Sequence, residues 1–317
     1  MQPLTVPPRN VYTTFMNVPF VADLDRLDAD FVIIGMPYGD PYTIDEVTND
    51  QTNAPTAVRR ATQRLSPFDH WDFDVGGTIF DGKPIKVVDA GDVPGESGDL
   101  KAHYRKAEAA VRKILKAGAV PITIGGDHGV PIPVFRAFSD HGPVTLIHYD
   151  AHLDWRDHVN GAREGYSSPI RRAGEMPHFK DIFQIGLRGQ GSARPEEVQA
   201  ALKRGAHLIS AGDLHRTGVD GILQRIPAGG RYYVSIDADG LDPSAVPAVG
   251  APQPGGITYL QAIDLIKGLG GKGKLVGMDF VELTPMRDVN EISSLTCAHI
   301  ILNFIAAAVR SSYFAKT

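Results

Sequence analysis

Residues 144–154 read VTLIHYDAHLD. The run Val144–Tyr149 is near-continuously apolar, as a strand covered on both faces should be. It ends directly in Asp150, His152 and Asp154. Working outward, seven more runs have the same character: Phe31–Ile34, Ile85–Asp89, Val120–Ile124, Ile182–Ile185, His207–Ser210, Tyr232–Ile236 and Leu275–Phe280. Helical patterns separate many of them. Leu100–Ala117 places Tyr104, Ala107, Val111 and Leu115 at steps of three to four, the spacing of one helix face. Pro195–Lys203, Tyr259–Leu269 and Asn290–Ala315 read the same way, with Thr258 as an N-cap and Gly270 as a stop. Alternating strands and helices predict an α/β fold with a mostly parallel sheet. The absence of repeats and long linkers predicts one domain over residues 1–317.

The 317 residues carry 32 Lys+Arg against 37 Asp+Glu, a net charge of −5, which argues against nucleic acid as the main partner. The single cysteine, Cys297, excludes a disulfide framework and points to a reducing, cytoplasmic setting. No signal peptide is visible. The apolar stretch Ile300–Val309 is shorter than the ~20 residues that span a bilayer, so it predicts a buried helix and no membrane partner.

Ligands of open α/β sheets bind beyond the carboxyl ends of the strands. Val120–Ile124 runs into Gly125-Gly126-Asp127-His128, Tyr232–Ile236 into Asp237-Ala238-Asp239, and Leu275–Phe280 ends near Glu282. In an extended chain residues i, i+2 and i+4 share a side, so Asp150, His152 and Asp154 are expected to face together, as are Asp237 and Asp239. His128 joins them from a third strand. Two carboxylates ~4 Å apart repel by ~4 kcal/mol at an effective dielectric of ~20. Four together therefore require protonation or cations. The donor set lacks thiolate and suits Mn²⁺, Co²⁺, Ni²⁺ or Zn²⁺ in a two-metal cluster. Such a cluster turns a bridging water into hydroxide near neutral pH, which makes the expected chemistry hydrolytic. No strand is followed by G-x-G-x-x-G, which sets a dinucleotide site aside. Asp242, before Pro243, is expected to anchor a turn.

The motifs GGDH, DAHxD and S-x-D-x-D-G-L-D-P, at residues 125–128, 150–154 and 235–243, resemble those of the ureohydrolases, the arginase and agmatinase family. Asp89-Ala90-Gly91-Asp92, Gln184–Gly189 and Asp279-Phe280-Val281-Glu282 resemble the agmatinase branch. The resemblance implies a three-layer α/β/α fold with an eight-stranded parallel sheet. It also implies a binuclear manganese cluster, with nickel open beside it, and hydrolysis of a guanidino compound to urea plus an amine. Carried over by position, His128, Asp150, Asp154 and Asp237 would hold one ion. Asp150, His152, Asp237 and Asp239 would hold the other. Glu282 would pair with the substrate guanidinium, a role suited to a bidentate carboxylate. Trimers or hexamers are implied by the same analogy.

Departures from the family cluster near the expected pocket. Gly129 stands where relatives carry Ser, and Pro247-Ala248-Val249-Gly250-Ala251-Pro252 replaces a threonine-bearing tract. Tyr166 stands at the position of a proton-shuttling His. His158 is the alternative shuttle. An Arg-Pro-Gly-Ala-Arg pattern of relatives is replaced by a loop running from Asp45 to Asn53-Ala54-Pro55. Asp40, Asp45, Glu46 and Asp50 would favour a cationic substrate, whereas Arg163 would receive the carboxylate of a guanidino acid. Agmatine, guanidinobutyrate, guanidinopropionate, guanidine and a biguanide such as metformin all remain open. Two other readings are a deacetylase with one zinc on the same fold, and a regulatory subunit paired with an active paralogue.

Overall fold

The structure, a computed structural model, describes residues 5, 13–39, 42, 50–95, 99–191 and 193–314. Eight strands form one sheet in the order β2-β1-β3-β8-β7-β4-β5-β6. They are β1 (Phe31–Met36), β2 (Val87–Asp92), β3 (Val120–Gly125), β4 (Val144–Tyr149), β5 (Phe179–Leu187), β6 (His207–Ser210), β7 (Arg231–Asp237) and β8 (Lys274–Val281). Every pairing between neighbours is parallel. All eight apolar runs thus fall on strands; β5 extends beyond its run at both ends, while β2 starts at Val87 rather than Ile85 and continues to Asp92.

Side chains alternate between the two faces, as strand geometry requires. Phe31 and Ile33 enter one core while Val32 and Ile34 enter the other. The first core is closed by helices α1 (Ala54–Thr62), α6 (Ala211–Leu223), α7 (Tyr259–Lys272) and α8 (Ile292–Arg310). The second is closed by α2 (Leu100–Lys116), α3 (Pro131–Ala137), α4 (Pro169–Glu175) and α5 (Pro195–Arg204). The result is the three-layer α/β/α arrangement.

Two element readings need correction. Helix α7 does not stop at Gly270 but runs to Lys272, with Thr258 as its N-cap. A Cβ at Gly270 would lie 2.9 Å from Ala307 O, so this glycine lets α7 approach α8 and ends nothing. Helix α8 begins at Ile292, not at Asn290, because Asn290 and Glu291 take φ of 54° and 63°. Its 19 residues, mean hydropathy 1.8, match a membrane span by length and composition. However, 78% of the window is buried inside the protein, so its apolar surface is spent on the first core.

Arg59 ties α1 to the sheet. It is 1% exposed, and its guanidinium donates to Asp89 Oδ2 at 2.8 Å, Asp92 Oδ1 at 2.6 Å and Gly91 O at 3.0 Å. The Asp89–Asp92 motif therefore serves as an anchor for a buried cation.

Candidate metal centre

Strands β3, β8, β7 and β4 are consecutive in the sheet, and each carries a candidate group at its carboxyl end. Neighbouring strands lie ~4.8 Å apart, which brings the four ends within reach of one another. His128 Nδ1 lies 2.9 Å from Asp237 Oδ2, 3.0 Å from Asp154 Oδ2 and 3.3 Å from Asp150 Oδ2. His152 Nδ1 lies 3.1 Å from Asp239 Oδ2 and 3.4 Å from Asp150 Oδ1. All six side chains named from the sequence thus meet, with Asp150 between the two histidines.

The route to that convergence differs from the extended chain expected. The chain bends at Ala151 and His152, and Asp154 takes a φ of 48°. Ala238–Gly240 forms a 3₁₀ turn in which Asp237 accepts the N–H of Asp239 at 2.8 Å. Tight turns, rather than period-two alternation, fold the carboxylates inward.

The sequence reading missed His148. It sits on β4 two residues before Asp150, and the period-two rule applies there because the strand is still regular. Its Nε2 is 3.0 Å from Asp150 Oδ2. Gln184 Nε2 reaches His148 Nδ1 at 3.3 Å and Leu153 O at 2.7 Å, which fixes the ring.

Burial and mutual repulsion set the protonation of the cluster. Burial pushes the Asp237 carboxyl well up, and Asp239 and Asp150 push it further. Asp239 rises to about 6 through burial and the charge of Asp150, and Asp154 rises for the same two reasons. Burial opposes ionisation of Asp150 too, but His148, His128 and His152 hold it well below the usual range. Burial disfavours the charged imidazoles, yet the carboxylates hold His128 well above its ordinary value and His152 at about 12. Bare carboxylates here draw in positive charge.

The residues fit divalent cations. Asp150 Oδ2 and His148 Nε2 are buried and, among the described residues, make no hydrogen bond despite their proximity. His128, His148, Asp150 and Asp154 place donor atoms within 4.8 Å of one another, as do Asp150, His152 and Asp239. Oxygen and imidazole donors without thiolate suit borderline divalent metals.

Glu282 stands beside this cluster with a φ of 62°. Its Oε1 accepts the backbone N–H of His128 at 2.8 Å, and its Oε2 accepts Gln51 Nε2 at 2.9 Å. Desolvation and the charge of Asp127 raise its carboxyl to about 8. The Ala248-Val249 tract adjoins it, since Thr284 N donates to Ala248 O at 2.8 Å and Val249 bridges to Leu283. Gly129 is required by packing: a Cβ there would meet Tyr104 Oη at 2.5 Å. The tyrosine hydroxyl fills the space of the expected serine and donates to Glu164 O at 2.9 Å.

Tyr166 packs against Tyr42 in a tilted arrangement, with ring centroids 4.3 Å apart, and the charges of Asp154 and Asp127 act on the Tyr42 hydroxyl. The His158 and Arg163 side chains are 63% and 58% exposed and gather around Asp157. Arg171 and Arg172 share that carboxylate. Among the described residues no ion pair or hydrogen bond links His158 or Arg163 to the carboxylate cluster. Asp40, Asp45 and Glu46 lie outside the described residues, and Asp50 accepts Met286 N at 3.1 Å. Asp242 anchors its turn as expected, accepting from Ser244, Gly255 and Gly256.

The family model of the arginase family matches residues 29–307. The chain belongs to the arginase family. As a ureohydrolase it is 33% identical over 302 residues to a guanidinobutyrase of Pseudomonas aeruginosa, covering 92% of this chain and 91% of the relative. It is 32% identical over 306 residues to an agmatinase of Sodalis glossinidius, covering 92% and 91%. Among solved structures, proclavaminate amidino hydrolase from Streptomyces clavuligerus superposes with a TM-score of 0.83 at 28% identity. That match covers 98% of this chain and 100% of the other. The ureohydrolase is thus an agmatinase-like hydrolase of C–N bonds with a His/Asp cluster suited to metal.

Proposed function

We propose that this ureohydrolase binds two divalent ions, manganese or nickel, and hydrolyses a small guanidino compound to urea and an amine. His128, Asp150, Asp154 and Asp237 would hold one ion, and Asp150, His152, Asp237 and Asp239 the other. His148 would orient Asp150. Bound ions would supply an activated water and neutralise the carboxylates. The carrying observation is the hydrogen bond from the His128 backbone to Glu282 Oε1. It couples a guanidinium-binding carboxylate directly to a metal-ligating residue, so the guanidino carbon is held beside the centre. Tyr166, against Tyr42, would line the substrate side, and its phenol would donate a hydrogen bond. Residues 1–317 would act as one domain, in the cytoplasm and in the trimeric or hexameric assembly implied by resemblance. The lone, buried Cys297 supports a reducing compartment.

The test is urea release from agmatine, 4-guanidinobutyrate, 3-guanidinopropionate, guanidine and metformin, each with Mn²⁺, Ni²⁺, Co²⁺ or Zn²⁺. Urea is expected from at least one pairing. Glu282→Gln should keep the metal and lower turnover at least 100-fold, about 2.7 kcal/mol of barrier. A metal-loaded protein that frees no urea from any of these compounds overturns the reading and favours a regulatory subunit.

A further inference from the structure

The loop that leads into α1 reaches across the fold to the carboxylate that follows β8. Gln51 opens the 3₁₀ turn Gln51–Asn53 and lies in the stretch that departs from the family pattern. Its Nε2 donates to Glu282 Oε2 at 2.9 Å, while the His128 backbone donates to Oε1 at 2.8 Å. Each oxygen of Glu282 therefore has one fixed donor. A carboxylate offers about four acceptor positions, so one lone pair per oxygen stays open to a planar donor. The neighbouring Asp50 reinforces the bridge: both its oxygens lie 3.1 Å from Met286 N. The turn before α1 and the turn after β8 are thus joined twice. That joint holds Glu282 in a left-handed conformation (φ 62°) that a Glu rarely adopts unaided.

The Gln51 amide has a second polar end. Bonded through Nε2, it leaves its carbonyl oxygen with both lone pairs, and among the described residues nothing donates to it. A guanidinium carries more N–H groups around its edge than one carboxylate can accept. We infer that Gln51 is a specificity-determining residue: it positions Glu282 through its amide N–H and offers its carbonyl oxygen as a third acceptor for the guanidinium. This rests on the proposed guanidine chemistry. It explains why a neutral amide suits this loop position, since a second carboxylate would add repulsion beside Glu282 and Asp127.

Calorimetric titration of the metal-loaded protein with guanidinium chloride tests the inference without needing turnover. Gln51→Ala and Gln51→Met should each weaken guanidinium binding roughly 10- to 100-fold, the loss expected for a hydrogen bond to a charged group. Metal content should stay unchanged. With an active substrate, the same loss should appear mainly in KM, with kcat shifted far less. Unchanged binding in both variants, or no guanidinium binding by the wild-type protein, overturns the inference. So does wild-type binding in Gln51→Met alone, because methionine restores bulk without hydrogen bonds. If Gln51 governs guanidinium binding but no compound yields urea, the proposed hydrolysis fails and the role of Gln51 stands. If urea is released and binding ignores Gln51, the role of Gln51 alone fails.

Discussion

Asp150 is the residue on which the centre turns, because it faces His128, His148 and His152 at once. It belongs to both groups of close donor atoms, whereas Asp239 belongs to one. Their removal should therefore have unequal effects. Asp150→Ala should leave almost no metal after gel filtration, while Asp239→Ala should retain about half, measured as ions per chain by plasma mass spectrometry. Two ions retained in Asp150→Ala would sink the shared-ligand assignment. At this scale the sequence was informative where a residue sits inside a dense motif. The convergence of His128, Asp150, His152, Asp154, Asp237 and Asp239 was legible from the chemistry of their motifs, although tight turns and not extended spacing bring it about. Gln51 was not, because a lone polar residue in a polar loop has no periodicity, and its partner Glu282 lies 231 positions away. Gly129 looked like a lost hydroxyl, yet Tyr104 supplies one from α2, a substitution in space that one-dimensional spacing cannot display.

Elements show a different limit. Helices α2, α5, α7 and α8 announced themselves by periodic apolar residues. Helices α1, α3, α4 and α6 did not, because the first three run only 9, 7 and 7 residues, each with a proline in its first turn, and Gly218 takes a non-helical φ of 71° inside α6. Proline is tolerated in a first helical turn, so these breakers mark starts. Helix α2 also buries an ionisable group. His103 is fully buried and stacks on Tyr38 at 4.5 Å, and burial lowers its imidazolium to about 4. The folded value lies below the unfolded ~6.5, so between these values the unfolded chain binds more protons. Stability is then fully present above pH ~6.5 and is lost as pH falls toward 4, by about 3 kcal/mol. His103→Phe keeps the stacking and removes the titration. Denaturant unfolding at pH 7, 5.5 and 4 should show a shallower acid loss in the variant. Parallel stability curves for the two proteins would refute this role.

The whole molecule converts strand order into a charged site. Eight strands were readable from apolar runs, but their order was not, because parallel crossovers leave no local trace of which neighbour a strand joins. The order places β3, β8, β7 and β4 side by side in the middle of the sheet, under helices on both faces. Carboxylates crowded there oppose folding until cations arrive, and only the folded chain brings them together. Metal binding therefore acts as folding free energy. An ion present at 1,000 times its Kd adds about 4 kcal/mol. For a chain of 317 residues, unfolding entropy of roughly 2.1 cal/mol/K per residue turns that into about 6 °C per ion. Stripping with EDTA should thus lower Tm by roughly 5–15 °C, and Mn²⁺ or Ni²⁺ should restore it in proportion to the logarithm of its concentration. Asp150→Ala should melt at one temperature with or without EDTA, because its cluster no longer closes around a cation. A wild-type Tm indifferent to chelation would mean that the four carboxylates settle their repulsion by protonation, with no linkage between metal and fold.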